Sequence, residues 1–597
     1  MRFRLPSSLL PAATAKRASS HDVDTPEASF HERQVTEKEA GVNANSSQVI
    51  GEEEKMELQH GVASVEAMTE VWTKRDLIIA YGFIWVIQFM LAFSAGIVWT
   101  LTPYVTSSFQ LHSLTATTSI ISSLIGGLFK IPYAEILDIW GRPQAFLIMI
   151  ASITLGLVMM AGCNDVKTYC AAQVFFNVGY TGIAFSMSIF VADTSKLRNR
   201  AFMIAFTASP YLVTTWVYGP AVESILSTMG FRWGFGIWAI VLPLTCAPLC
   251  ALFWYKQRKA DKLGLIPPRP SRGNAFETFI YYCREFDVIG LLIISTGLAL
   301  FLLSFSLYSY QKDQRRSPLI ICVLIFGGLL IIAFGLYKNY LAPVTFIPWY
   351  LLKNRTIVFT YTMAASIYIA WYIWDSYFYS LNIVLFRQSI TQATYIGNIY
   401  TMGSCFWSFV LGVCIRFNGR IKRYALYFGV PLTILGVGLM IHFRQPGVNI
   451  GYIVMCQIFV AFGGGTLVIC EQMTVMAVST HQHISAVLAM EGLVAYVGSS
   501  IGVAIAAAMW TGIFPQKLLE NLPASAQSEF ASYGDLTVQA SYPVGSPTRI
   551  AIDKSYAETQ KLMLIAATSL YTITPVSTAL WRDIDVKNMK QRTKGLI

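Results

Sequence analysis

Three carboxylic acids stand inside long apolar stretches in the C-terminal half of this chain: Asp375, Glu471 and Glu491. Placing such a group at the middle of a hydrocarbon layer costs about 2.5–3.5 kcal/mol on insertion scales, so an acid there points to function. It can take a proton from an acidic medium on one side and release it on the other, which is the chemistry of energy coupling. Asp375, between Trp374 and Tyr377, is the first candidate for proton coupling or for lining a cavity, and Glu471 is the second. Glu491 falls nearer a helix end, just after His481 and His483, where a structural ion pair competes with a coupling role. Lys130, near the end of another apolar stretch, reads as a cation that snorkels to the inner interface. His112 could titrate at an acidic external pH or equally cap a turn.

Enzyme chemistry does not accompany these acids. The seven His residues form no His/Cys/carboxylate set at ligand spacing. Neither a phosphate loop nor a nucleophile elbow stands out. No resident metal or cofactor is expected. The ten cysteines show no C-x-x-C pair and mostly fall in apolar stretches, as small packing residues. Cys246 with Cys250, and Cys163 with Cys170, are the pairs a thiol site or disulfide would use.

The elements that must hold the acids follow from composition. Hydrophobic residues make up 54% of the 597 and charged residues 13%, and the mean hydropathy is +0.51. Each apolar run is long enough to cross a hydrocarbon core of ~30 Å, which takes ~20 residues. The runs are continuous rather than alternating, which predicts an all-α polytopic membrane protein. Fourteen spans are predicted, near 77–101, 113–136, 144–162, 168–192, 201–225, 233–255, 286–309, 318–337, 357–381, 391–415, 424–442, 450–476, 484–513 and 562–581. The net charge of +11 is spread over short loops, with no basic face for nucleic acid. Lys and Arg concentrate in alternate loops, which predicts both termini in the cytoplasm; the Lys312–Arg316 cluster is the one local violation. Residues 1–74 are polar and predicted to be disordered, with Lys16, Lys38 and Lys55 as possible ubiquitin acceptors.

The turn after the second span reads Asp138-Ile-Trp-Gly141-Arg142, and the turn after the tenth reads Arg416-Phe-Asn-Gly419-Arg420. This echo predicts two six-helix halves, residues 75–255 and 338–581. Between them lie a cytoplasmic loop at 256–285 and two linker helices at 286–337, and a short cytoplasmic tail, 582–597, follows. The first turn is similar to the loop motif G-x-x-x-D-x-x-G-R of the major facilitator superfamily. That resemblance implies a fold of two six-helix bundles, here with fourteen transmembrane helices. It also implies a conformational gate at Asp138, Gly141 and Arg142, with Asp193, Arg198 and Arg200 (beside Lys196) as a supporting charge set or as simple topology charges.

Two stretches resemble the fungal siderophore–iron transporter family within that superfamily. One runs from Pro103-Tyr104 to His112-Ser113-Leu114, and the other is the long outer loop 514–561, ending in Tyr542-Pro-Val-Gly545 through Gln560-Lys561. Trp374-Asp375-Ser-Tyr377-Phe and Gly463-Gly464-Gly465 are similar too, whereas Glu135 stands where the family has Lys. Drug antiporters carry an Arg early in the fourth span, where this chain has Gln173, and a fuller glycine run before Gly219-Pro220.

The resemblance implies a monomeric proton symporter in the plasma membrane, with cycling through endosomes, importing ferric siderophores by alternating access. Its partners would be the chelate, protons and the lipid bilayer. Iron arrives already wrapped by oxygen ligands, so recognition would use aromatic surfaces and hydrogen-bond donors. Tyr104, His112, Trp374, Tyr377, Tyr533, Tyr542, Arg549 and Tyr556 are the substrate candidates, although the last four could instead simply fold the outer loop. The cavity is expected between the halves, lined partly by spans 1, 2, 5, 9 and 12. The rivals are a carrier of haem, glutathione or drugs, and a substrate sensor without net flux.

Overall fold

Helices alone keep every backbone group of such runs hydrogen-bonded in lipid. The computed structural model describes residues 60–108, 115–266, 275–307, 317–341, 349–527 and 536–589. Among these the chain is helical, with one isolated bridge between Arg420 and Asp585. Twelve helices are long and apolar enough to cross a membrane: Lys74–Thr102, Arg142–Gly162, Val166–Thr194, Leu197–Thr228, Gly230–Lys262, Pro318–Tyr340, Arg355–Val384, Ile390–Asn418, Ile421–Phe443, Ile450–Val478, His481–Asn521 and Pro547–Ala579.

The other two predicted spans are present in a different form. One is the apolar helix Val288–Leu307. The other is broken, with Thr115–Leu128 and Lys130–Trp140 separated at Phe129. Numbered in chain order, these are spans 7 and 2 of fourteen.

Spans 1–6 pack among themselves, as do spans 9–14, and the two bundles meet where span 2 lies against span 13 and span 5 against span 10. Spans 7 and 8 pack on each other. Leu298 and Leu302 of span 7 then join Leu124, Leu128 and Ile131 of span 2 and Leu493 of span 13 in one apolar cluster. The glycines at 463–465 in span 12 leave room for Thr433, Tyr400 and Ser404 of its neighbours.

The repeated turn is visible in the backbone. Gly141 (φ 107°) and Gly419 (φ 76°) both take a positive φ that L side chains avoid. Each is followed by an arginine held by aspartate: Arg142 by Asp138 and Asp193, and Arg420 by Asp583 at 2.8 Å.

Two regions differ from the sequence expectation. The segment expected as an outer loop, 514–561, is helical on both flanks: span 13 runs on to Asn521 and the last helix starts at Pro547, with a short helix Leu536–Ser541 between them. Phe514, Leu518, Ile552 and Tyr556 close over Phe378 and Leu381 there, which supplies the apolar surface that extends these helices.

The tail expected to be disordered through residue 74 ends in a helix, His60–Val71. Val62, Val65, Met68 and Val71 are buried along one side of it, and Trp72 packs edge-on against Phe190 and Phe253. Its recurrence of apolar residues every three to four positions is short and embedded in a polar tail, which hides it in composition.

That helix touches the gate turn through Gly61, where a Cβ would lie 2.3 Å from the carbonyl oxygen of Asp138. Gly61→Val is therefore expected to lift the helix off the turn. Overpacking costs about 1–3 kcal/mol, so hydrogen exchange across residues 60–72 should quicken by about 5- to 150-fold. Gly82→Val, with nothing within 4 Å, serves as the control.

Candidate functional site

A cavity of about 380 Å³ lies between the halves, walled by Lys130 of span 2, Tyr180 of span 4, Tyr368 and Tyr372 of span 9, Gln472 of span 12, and Glu491 and Tyr496 of span 13. Span 5 contributes Ile204. Four of the five spans expected to line it do so; spans 4 and 13 take the place expected of span 1. Four of the seventeen lining residues are tyrosines, giving rings for stacking and hydroxyls for hydrogen bonds.

Lys130 does not snorkel. Span 2 continues past it to Trp140, about 15 Å further along the helix, so its head points into the cavity rather than to an interface. Its Nζ lies 5.0 Å from the centre of the Tyr496 ring, at cation–π distance.

The three acids fall into two clusters. Glu471 is 0% exposed, and among the described residues the carboxyl of Glu491 is the polar side chain set against it. Glu491, also buried, faces it from span 13, with Lys130 as the cation beyond. Asp375 is separate and ends the first segment of span 9, Arg355–Asp375, with Trp371 and Arg444 as its neighbours. Span 9 resumes at Phe378, and at the break Tyr377 stacks on Trp510 with centroids 4.2 Å apart.

Arg444 is the functional candidate that sequence reading missed, since it stands just past the predicted span 424–442, where a loop charge is ordinary. It is 0% exposed. Its Nη1 donates to the Trp374 carbonyl at 3.0 Å and to Gln560 Oε1 at 2.7 Å, and its guanidinium lies over the Phe378 ring at 4.3 Å. No local signal marks it, because its partners come from spans 9 and 14. Gln173 joins Thr102 and Tyr169 at 2.9 and 2.8 Å and accepts from Ser122, tying spans 1, 2 and 4.

At the end of the molecule that carries the repeated turns, the gate residues meet. Arg142 donates from Nη1 to Asp138 at 2.6 Å and from Nε to Asp193 at 3.1 Å, all three being buried. The second half closes on this group: Ser485 donates to the other Asp138 oxygen, and His481 Nε2 stands 3.7 Å from Asp193. Arg198 donates to the Arg416 carbonyl at 2.8 Å, a second tie between the halves. Arg200 turns inward instead, donating to the carbonyls of Ala192 at 2.6 Å and Ser195 at 3.1 Å, which fixes the turn between spans 4 and 5.

The outer candidates are held by the protein itself. Arg549 donates to Asp553 at 3.1 Å and to the Gln539 carbonyl at 2.8 Å, and it also reaches the Val384 carbonyl of span 9. Tyr556 is buried against Trp510 and Phe514 and donates to Gln539 Oε1 at 2.6 Å. Tyr542 is half-buried beside them, and Trp374 is buried in the core. Tyr104 lies on the helix Lys74–Ser108, while His112, Tyr533 and the Lys312–Arg316 cluster lie outside the described residues. All ten cysteines are free thiols, so neither candidate pair is bridged.

The sequence and the fold have clear counterparts. Residues 84–503 match the model of the Major Facilitator Superfamily. The "MFS siderochrome iron transporter 1" of Ajellomyces capsulatus is 55% identical over 94% of this chain and 95% of its own length. The "Siderophore iron transporter mirB" of Emericella nidulans is 39% identical over 97% and 96%. Among solved structures, a bacterial homologue of the iron transporter ferroportin in an outward-facing state aligns with 83% of this chain and 98% of its own, at a TM-score of 0.50 and 7% identity, a likeness of fold alone. With identity at these levels running from end to end of the fungal transporters, this chain belongs to the siderophore–iron transporter family of the major facilitator superfamily.

Proposed function

We propose that this transporter imports ferric siderophores together with protons across the plasma membrane by alternating access, as a monomer with both termini in the cytoplasm. The observation that carries the coupling is Glu491 on the cavity wall with Glu471 fully buried against it. The names of the relatives support the cargo, and the tyrosine-lined cavity suits a bulky chelate that presents organic surface rather than bare metal. Asp138, Arg142 and Asp193 with Ser485 would close the cytoplasmic side, and the Arg549–Tyr556 assembly would shape the outer entrance.

The cavity wall holds one cation, Lys130, against Glu491 and the glutamate behind it. An uncharged ferric tris-hydroxamate is therefore expected to be carried in preference to a triply anionic tris-catecholate, whose charge would face the acids. The test is uptake of radioiron-labelled chelates of both classes into cells lacking other siderophore transporters, at several external pH values. Accumulation should rise as the medium is acidified and collapse with a protonophore. Failure to accumulate any ferric siderophore would overturn the proposal.

A further inference from the structure

We infer that Lys130, Glu491 and Glu471 form one proton-carrying unit across the two halves, in which Lys130 is the positioning residue that holds or releases the first half according to the charge on the glutamates. The inference rests on the proton-coupled reading above and adds the residue that converts protonation into movement.

The geometry is built for such a contact. Lys130 comes from the first half, at the break in span 2, and both glutamates come from the second. The ammonium reaches the backbone of span 13 directly after Glu491 because residue 492 is glycine: a Cβ there would lie 2.9 Å from Lys130 Nζ. Any larger residue would push the ammonium away. Tyr496, one turn on, supplies a ring face to the same cation. The remaining titratable neighbours are hydroxyls, a thiol and one acid. Tyr361, which donates to the Val487 carbonyl at 2.9 Å, and Tyr368 face the pair from span 9. Tyr400 faces Glu471 from span 10, Cys470 adjoins it on span 12, and Glu135 is buried five residues beyond Lys130 on span 2. Asp375 has its own cation, Arg444, and stands apart.

Charge balance then fixes the proton count. Two carboxylates against one ammonium leave an excess negative charge in a low-dielectric site, which a single proton on the glutamate pair cancels. In that resting state Lys130 is held to the ionised carboxylate and bridges the halves. A second proton, taken from the outer medium onto that carboxylate oxygen, leaves Lys130 without a counter-ion and removes the attraction between the halves. After the conformational change the same O–H bond breaks, the proton passes to the inner medium, and the ammonium returns. One proton crosses per cycle.

The test uses the purified full chain in liposomes, with a radioiron-labelled neutral ferric tris-hydroxamate as the probe. Acid-driven accumulation and substrate counterflow are measured across a pH series for the wild type, Lys130→Gln, Lys130→Arg and the double variant Lys130→Gln/Glu491→Gln. Lys130→Gln should lose at least about tenfold more accumulation than counterflow, and the pH profile of its counterflow should shift. Lys130→Arg should restore part of the accumulation. The double variant, with neither of the two opposed charges, should keep the site folded if the single variant does not, and its counterflow should be flat with pH. A wild-type pH profile in Lys130→Gln, or a pH-dependent double variant, would overturn this inference and leave proton coupling standing. A wild type that accumulates the chelate equally without a proton gradient would overturn both.

Discussion

Ser485→Ala is expected to open the Arg142 face of this transporter about 10- to 100-fold more often than in the parent. Ser485 is the second half's direct hydrogen bond to Asp138, and Asp138 keeps its own arginine when that bond is lost. A hydrogen bond to a charged group contributes about 1.5–3 kcal/mol, and each 1.4 kcal/mol is tenfold in an equilibrium. The substitution removes a hydroxyl without stranding a charge, because Arg142 still neutralises Asp138 and Asp193. Its effect should thus appear in the balance between conformations and not in the stability of the fold. Alkylation of a cysteine placed between spans 5 and 10 reads that balance. Phe202→Cys suits this, since Phe202 packs on Gly412 and Phe409 across the seam between the halves. Labelling should quicken in proportion to opening, and an unchanged rate would show that the Asp138 cluster is not a latch.

The legible part of this molecule is whatever repeats or is continuous. Twelve of the fourteen predicted spans meet described helices long and apolar enough to cross a membrane, and they could be read from apolar runs because a hydrocarbon core demands at least ~20 continuous apolar residues. The turn that carries the gate candidates could be read because Gly141 and Arg142 recur as Gly419 and Arg420 in an equivalent turn. Positions within the helices were harder. Lys130 was read from its distance to the predicted end of a run, and the run proved four residues longer at that end, at Trp140 instead of 136. Glu491, expected near an inner helix end, stands on the wall of the central cavity, because span 13 begins at the gate and its polar start is covered by the first half. The helix His60–Val71 owes its order to the surface it covers and not to its own propensity, so nothing within the tail announces it.

Arg444 carries the same lesson into energetics, and it supports the second expected result. Arg444→Met should destabilise the protein by about 3–5 kcal/mol, because it strips the Trp374 carbonyl and Gln560 Oε1 of their buried donor and leaves the Asp375 carboxyl without the charge that balances it. Asp375→Asn alone leaves the guanidinium without its counter-ion, although the Trp374 carbonyl and Gln560 still accept from it, and should cost less. Combining the two removes both charges. A buried ion pair replaced by apolar or neutral groups is often near neutral in stability, so the double variant should recover most of the loss of Arg444→Met. Thermal unfolding of the three purified variants closes the cycle. A coupling of about 2 kcal/mol or more would establish that Asp375 and Arg444 are one pair, held at the break in span 9 where Tyr377 meets Trp510. It would also separate Asp375 from the proton path: an aspartate whose charge is permanently balanced by a buried arginine is a fixed strut of the second half, and acid-driven accumulation by the double variant should then keep the pH dependence of the parent. Additive losses, or a double variant whose transport no longer responds to acid, would return Asp375 to the coupling residues.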